Sequence, residues 1–269
     1  MISMDAEIGI IGGSGFYSLL ENAEEIEMRT EYGAPSDKIS IGMISGRRVA
    51  FIPRHGKSHR IPPQRVPYRA NIAALNEIGV KRIIATNAVG SLKPEFRPSE
   101  MVFLDQYVNM THGRDDTFFD NDIVAHVSSA EPYCEELRGL GANMADKLGI
   151  KYHKSGTIVV INGPRFSTKA ESRMFSAQGF DTIGMTQYPE VALAREKEMC
   201  YASIALVTDY DVGLEGRSDI KPVSAEEVGN IFNDNVKLVK ELIRALVPSV
   251  PKERSCKCKN ALDGATFSR

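Results

Sequence analysis

"CYASIALVTDYDVG", residues 200–213, sets two carboxylates directly behind an apolar run. The run at 200–207 is short, with Ile204 and Val207 among small residues, and reads as a buried strand of an α/β sheet. Side chains two apart on a strand face the same side. A strand carried through Asp211 would therefore aim Asp209 and Asp211 at one spot beyond its carboxyl end, where open α/β sheets bind ligands. The other reading is a turn whose aspartates cap the next segment, and "TDYDVG" alone leaves both open.

Outward from this stretch, strand-like and helix-like segments alternate. "EIGIIGG" (7–13) reads as a strand running into a glycine turn, and 38–56 as a hairpin turning at "SGRR". Residues 67–80 have a helical pattern, 81–92 read as a strand into a loop, and 100–110 as one further strand. Helices follow at 135–150, 168–179 and 188–199, with a strand at 155–166 ending at Gly-Pro. A long helix closes the pattern at 224–247, where Ser224 and Glu227 fit a capping box. Mixed elements without a linker, repeat or low-complexity stretch indicate one α/β domain over 1–250 and a peripheral polar tail over 251–269.

Composition excludes several classes. A formal net charge of −2 gives no bulk attraction to nucleic acid or anionic membrane, and no apolar run approaches a membrane span of about 20 residues. The start, "MISMDAEIGIIGG", lacks the basic region of a secretory signal, so a soluble, cytoplasmic protein is expected. The four cysteines are Cys134, Cys200, Cys256 and Cys258. The last two form "CKC", a poor zinc motif on its own, and Cys200 reads as a small core residue. No metal is expected.

Several strand ends carry anion-friendly chemistry. "GGSG" (12–15) offers backbone N–H groups and the Ser14 hydroxyl, although taken alone a tight turn explains it better. It is not a P-loop and only half fits the dinucleotide fingerprint, with Ser18 at the third glycine position. "RHGKSH" (54–59) brings Arg54 and His55 to the end of the hairpin, suited to a phosphate through charge-assisted bonds, or else a solvated basic loop. "TNAVGS" (86–91) adds Asn87 and another glycine turn.

"IGIIGGSGFY", "PRHGKSH", "VPYRANIAAL", "NAVGSL", "NGPRFSTKAES", "GMTQYPEVALARE" and "CYASIALVTDYD" stand in the order seen in the 5′-methylthioadenosine phosphorylases of the trimeric purine nucleoside phosphorylase family, which the chain resembles over residues 7–247. The resemblance implies a single three-layer α/β/α domain with a distorted mixed central sheet. It also implies phosphorolysis of 5′-methylthioadenosine to adenine and 5-methylthioribose 1-phosphate, with no cofactor, in a homotrimer or a dimer of trimers.

By the same resemblance Ser14, Arg54, His55, Asn87, Ala88 and Thr186 hold phosphate, Ala88 through its N–H alone. Phe166 stacks on the purine and Met185 packs under the ribose. Asp209 and Asp211 face the base, Asp209 as the acid and Asp211 as an acceptor for the 6-amino group. Ser167 sits where the family reads substrate type. His126 reaches a neighbouring subunit's 5′ pocket, and Ala225 and Val228 align with apolar residues of that pocket, although "VGLEGRSDIKP" differs in length from some relatives. Gly184 departs from members with Asn there, which shifts base recognition onto the aspartates. Heat-stable archaeal relatives carry a similar C-x-C, which implies Cys134–Cys200 and Cys256–Cys258 bridges and a thermophilic source.

Competing readings are a purine nucleoside or methylthioinosine phosphorylase of the same fold, a nucleoside-binding protein without activity, and a dinucleotide-dependent oxidoreductase. The last needs an acidic residue after a second strand, for which Asp37 in the turn "GAPSDK" has nearly the right spacing.

Overall fold

The computed structural model describes residues 5–212, 220 and 222–266, without the side chains of Ser14 and Tyr17. In chain order the elements are β1 (Ile8–Gly12), β2 (Glu21–Ile26), β3 (Ile39–Ile44), β4 (Arg47–Pro53), α1 (Tyr68–Glu77), β5 (Arg82–Ser91), β6 (Met101–Phe103) and β7 (Gln106–Met110). Then come α2 (Glu135–Leu148), β8 (Tyr152–His153), β9 (Thr157–Ile161), α3 (Lys169–Ala177), β10 (Thr182–Gly184), α4 (Gln187–Glu196), β11 (Cys200–Asp209) and α5 (Ala225–Ser249).

One 11-stranded mixed sheet runs β2-β3-β4-β1-β5-β10-β9-β7, and a branch leaves β5 through β11 to β6 and β8. The branch point is β5. Along one edge it pairs in parallel with β11 from Arg82 to Gly90, while along the other its first residues pair in parallel with β1 and its last antiparallel with β10. This forked strand is the distortion the resemblance implied.

Side-chain alternation builds the two outer layers. On β1, Ile11 joins the core beneath α1 and α4, while Ile8 and Ile10 join the core beneath α2 and α5. On β11, Tyr201, Ala205 and Val207 face the first core, and Cys200, Ala202, Ile204 and Leu206 the second. Gly9 lies under the end of α1 and the turn after it: a Cβ there would meet Val80 Cγ1 at 2.9 Å and Leu75 Cδ1 at 3.4 Å. The hydroxyl of Ser224 accepts from the Glu227 N–H, as expected of a helix start.

Three expectations are corrected. The single strand at 100–110 is two, β6 and β7, which pair with different partners. Strand β11 ends at Asp209 after an irregularity following Val207, and Asp211 lies in a turn with φ +52. The two aspartates therefore share a site by a left-handed turn and not by strand alternation. The tail is not peripheral. Arg254 donates to the Glu198 carbonyl, the Ser255 hydroxyl to Glu136, and Ala125 bridges Thr266.

Candidate active site

The strands β1, β4, β5 and β11 are parallel neighbours, so their carboxyl ends open on one edge of the sheet. The polar residues that follow them meet there. Arg54, directly after β4, is 2 % exposed, and its N–H donates to the carbonyl of Gly12 at the end of β1. Its Nε and Nη2 each reach Glu190 of α4 at 2.7 Å, and Nη1 donates to the Thr86 carbonyl at 2.9 Å. Burial opposes the guanidinium charge, but the Glu190 carboxylate outweighs it and holds the pKa above its ordinary value. Only one donor on each of Nη1 and Nη2 remains for a further acceptor.

Asn87 is fixed in the same layer. Its Oδ1 accepts from Gln187 Nε2 at 3.0 Å and from Ser203 Oγ at 2.7 Å, which turns the NH₂ group the other way as a donor. Tyr201 donates to Glu190 at 2.7 Å and completes the network. Ala88 on β5 is half-buried, and Thr186 is buried at the start of α4. The side chain of Ser14 lies outside those described.

Burial first, then the neighbouring Arg54, lowers the pKa of His55 to about 4, so the ring is neutral at pH 7. Its Nδ1 lies 2.8 Å from the Ile61 carbonyl, which can only accept. The hydrogen therefore sits on Nδ1 and Nε2 presents a lone pair. Nε2 can therefore accept a hydrogen bond, and the ring adds no second positive charge.

The carboxylate pair closes the other side. Asp209 is 8 % exposed, and Oδ2 accepts from Thr208 Oγ1 and Oδ1 from the Asp211 N–H, each at 2.7 Å. Burial raises its pKa to about 6 against those two hydrogen bonds, helped by the charges of Asp211 and Glu227. Asp211 is 3 % exposed and is also raised by burial, while the hydroxyls of Ser172 and Ser167 pull it down. Among the described residues, Asp211 Oδ2 is buried without a hydrogen-bond partner. Gly90 makes room for the pair: a Cβ there would stand 2.8 Å from Asp209 Oδ1.

The flanking residues are placed by α4, α5 and one cation. The Val223 N–H donates to the Asp211 carbonyl at 2.7 Å, which brings the start of α5, with exposed Ala225 and half-buried Val228, beside the carboxylates. Arg114 donates to the carbonyls of Asn162, Met185 and Tyr188 and so ties the Met185 loop to the loop after β9. Met185 packs on Gly163, where a Cβ would meet its Sδ at 2.6 Å. Phe166 is 38 % exposed and Ser167 half-buried just beyond that glycine. His126 is exposed in the loop before α2, its N–H donating to the Ala265 carbonyl. The stretch 213–219 and residue 221, within "VGLEGRSDIKP", lie outside the described residues.

Sequence reasoning missed Glu190, Gln187, Tyr201, Ser203, Ser172 and Arg114. A signal existed for Glu190: it is an acid inside the apolar run "PEVALA", a placement that demands a buried partner. The oxidoreductase reading fails on Asp37. Both of its oxygens accept backbone N–H groups, from Lys38 and Lys57, so it serves the "RHGK" loop and not a ribose. The cysteine expectation also changes. All four are free thiols whose sulfurs lie within 4.8 Å of one another, and the 3.3 Å approach of Cys200 to Cys256 joins neither expected pair.

The sequence profile of the phosphorylase superfamily matches residues 7–248. The S-methyl-5′-thioadenosine phosphorylase of Thermofilum pendens is 54% identical over 96% of this chain and 98% of its own length. That of Pyrococcus abyssi is 53% identical over 95% and 97%. Among solved structures, a methylthioadenosine phosphorylase from an antarctic soil metagenomic library superposes with a TM-score of 0.91 at 40% identity, covering 98% of this chain and 93% of that one. The Schistosoma mansoni methylthioadenosine phosphorylase in complex with adenine gives 0.91 at 36% identity over 97% and 99%.

Proposed function

The chain belongs to the phosphorylase superfamily, and on that premise we propose that it cleaves 5′-methylthioadenosine with inorganic phosphate, giving adenine and 5-methylthioribose 1-phosphate. The observation that carries this reading is the carboxylate pair. Asp209 retains a proton to about pH 6, and beside it Asp211 Oδ2 is a buried acceptor without a protein partner among the described residues. An adenine supplies what both lack: an acceptor at N7 for the Asp209 proton and a 6-amino donor for Asp211. A 6-oxopurine offers Asp211 no such donor.

A phosphate oxygen attacks C1′ as the C1′–N9 bond breaks, and the bonding electron pair passes to the purine. Asp209 gives its proton to N7 as that charge develops, a contribution of roughly 10²–10⁴-fold. Arg54 and the Asn87 amide hold the phosphate from one side, with Ser14, the Ala88 N–H and Thr186 around it. Neutral His55 accepts the hydrogen of a monoprotonated phosphate at Nε2. Positioning by groups already fixed in the fold lowers the barrier further. Phe166 stacks on the base, Met185 lies under the ribose, and Ser167 contacts the base side of the pocket. Phosphate is the nucleophile and the partner of the cationic sugar, so the reaction in this reading needs neither metal nor organic cofactor.

The active unit in this reading is a homotrimer in which His126 and the start of α5 shape a 5′ pocket shared between subunits. Ile123 and Val124, 57% and 60% exposed, precede His126 and give its loop an apolar surface suited to a neighbour. Release of adenine from methylthioadenosine that depends strictly on phosphate, with little hypoxanthine from inosine, is the deciding assay. Equal rates on both nucleosides, or release without phosphate, would overturn the reading.

A further inference from the structure

A second cluster of reactive side chains lies at the opposite end of β11. Cys200 opens the strand, Cys134 directly precedes α2, and Cys256 and Cys258 come from the docked tail. Nine residues separate Cys200 from Asp209, about 30 Å of extended strand, so these thiols take no part in the chemistry proposed above. Cys134, Cys200 and Cys258 are buried and Cys256 is half-buried. All four sulfurs lie within 4.8 Å of one another, and Cys200 and Cys256 approach to 3.3 Å.

We infer that in the reduced protein these four cysteines form one tetrahedral site for a thiophilic divalent cation, zinc by preference. Four sulfurs at about 2.3 Å from zinc stand roughly 3.8 Å from each other, so small adjustments of the observed cluster reach that geometry. The C-x-C spacing is shorter than is usual in zinc sites, and the backbone shows why it suffices. Cys256 is extended with ψ 161 and Cys258 lies in the short helical turn that follows, which brings both sulfurs to the same cluster.

The other two ligands are held by the body of the fold. The Cys134 N–H donates to the Tyr201 carbonyl at 2.8 Å and the Cys200 N–H to the Lys81 carbonyl at 2.9 Å. Metal binding requires the cysteines as thiolates and so releases protons. A bound ion would fasten the tail to α2 and β11, three segments far apart in sequence. Bridges between pairs of these cysteines would use the same sulfurs, so bridge formation and metal binding exclude each other.

The test is cobalt titration of the full chain, reduced without oxygen by a phosphine, followed by displacement with zinc. The expected result is one cobalt per chain with the intense visible bands of a tetrahedral thiolate complex, bleached by zinc. Cys258→Ser and Cys134→Ser should lose those bands while phosphorolysis stays at the wild-type rate, which also certifies their fold. Zinc should raise the melting temperature of the reduced wild type and leave that of Cys258→Ser unchanged. A reduced protein that titrates four thiols yet develops no cobalt–thiolate absorption overturns the inference. Wild-type bands surviving in either serine variant overturn it as well.

Discussion

The two sides of the catalytic edge differ in how completely the protein satisfies them. Around Arg54 the contacts close on other protein groups: Glu190 binds the guanidinium twice, Tyr201 binds Glu190, and Gln187 and Ser203 bind Asn87. Around Asp209 and Asp211 the burial is similar, but Asp211 Oδ2 has no partner among the described residues and both carboxyl pKa values are pushed up. Buried polar groups cost free energy unless they are bonded. The first side is thus a finished frame that aims two guanidinium donors. The second keeps a buried acceptor unsatisfied beside two carboxyls whose pKa burial raises.

The largest effect should come from Asp209→Asn, which removes the transferable proton. Adenine release should fall by about 10²–10⁴-fold. Stability should move in the opposite direction. The folded pKa of about 6 lies above the ordinary 3.8, so the folded protein holds a proton that the unfolded chain releases. The contribution of this group to stability therefore falls as pH rises from about 3.8 to about 6. Above that window Asp209→Asn should melt higher than wild type, and kcat/KM of the wild type should decline as pH passes about 6. A variant that melts lower at pH 7 would place Asp209 among the finished contacts instead.

Glu190→Ala attacks the frame. It leaves the Arg54 guanidinium buried without its counter-charge, a loss of about 3–5 kcal/mol. The melting temperature should drop, unlike the response at Asp209. Arg54→Ala should weaken phosphate by roughly 10–150-fold, because charge-assisted bonds are each worth about 1.5–3 kcal/mol. It should also destabilise the fold by stranding Glu190. Phosphate KM and thermal melts separate the two consequences, and an unchanged phosphate KM would remove Arg54 from the site.

Where sequence succeeded and failed follows the same division. The strands β1, β4, β5 and β11 were legible because each holds an apolar run that leads into glycine or polar residues, among them Arg54 after β4, Asn87 within β5 and Asp209 at the end of β11. Strand β2, "ENAEEI", was invisible because all but its last residue are exposed, so no apolar alternation marks it. The frame of Glu190, Gln187 and Ser203 was hidden because these residues sit inside apolar segments and acquire meaning only when α4 packs on β5 and β11. His55 follows β4 beside Arg54, but its neutrality comes from burial next to that guanidinium, which no local motif encodes. The tail looked solvated because "CKC" gains its partners from residues more than fifty positions away.

The smallest effect expected is at Ser172, and it probes the raised pKa of Asp211 most directly. Ser172 lies on α3 at 6% exposure, and its hydroxyl, with that of Ser167, lowers the Asp211 pKa against the dominant effect of burial. Ser172→Ala removes one hydroxyl and should raise that pKa further. Asp211 must be ionised to accept from the 6-amino group, so the acidic limb of kcat/KM should shift to higher pH. The loss should be confined to pH near the limb and should vanish on raising the pH. Phosphate KM should not move, because α3 contributes nothing to the Arg54 network. A drop in rate that is uniform across pH would mean that Ser172 only supports packing and that Asp211 is held by other groups.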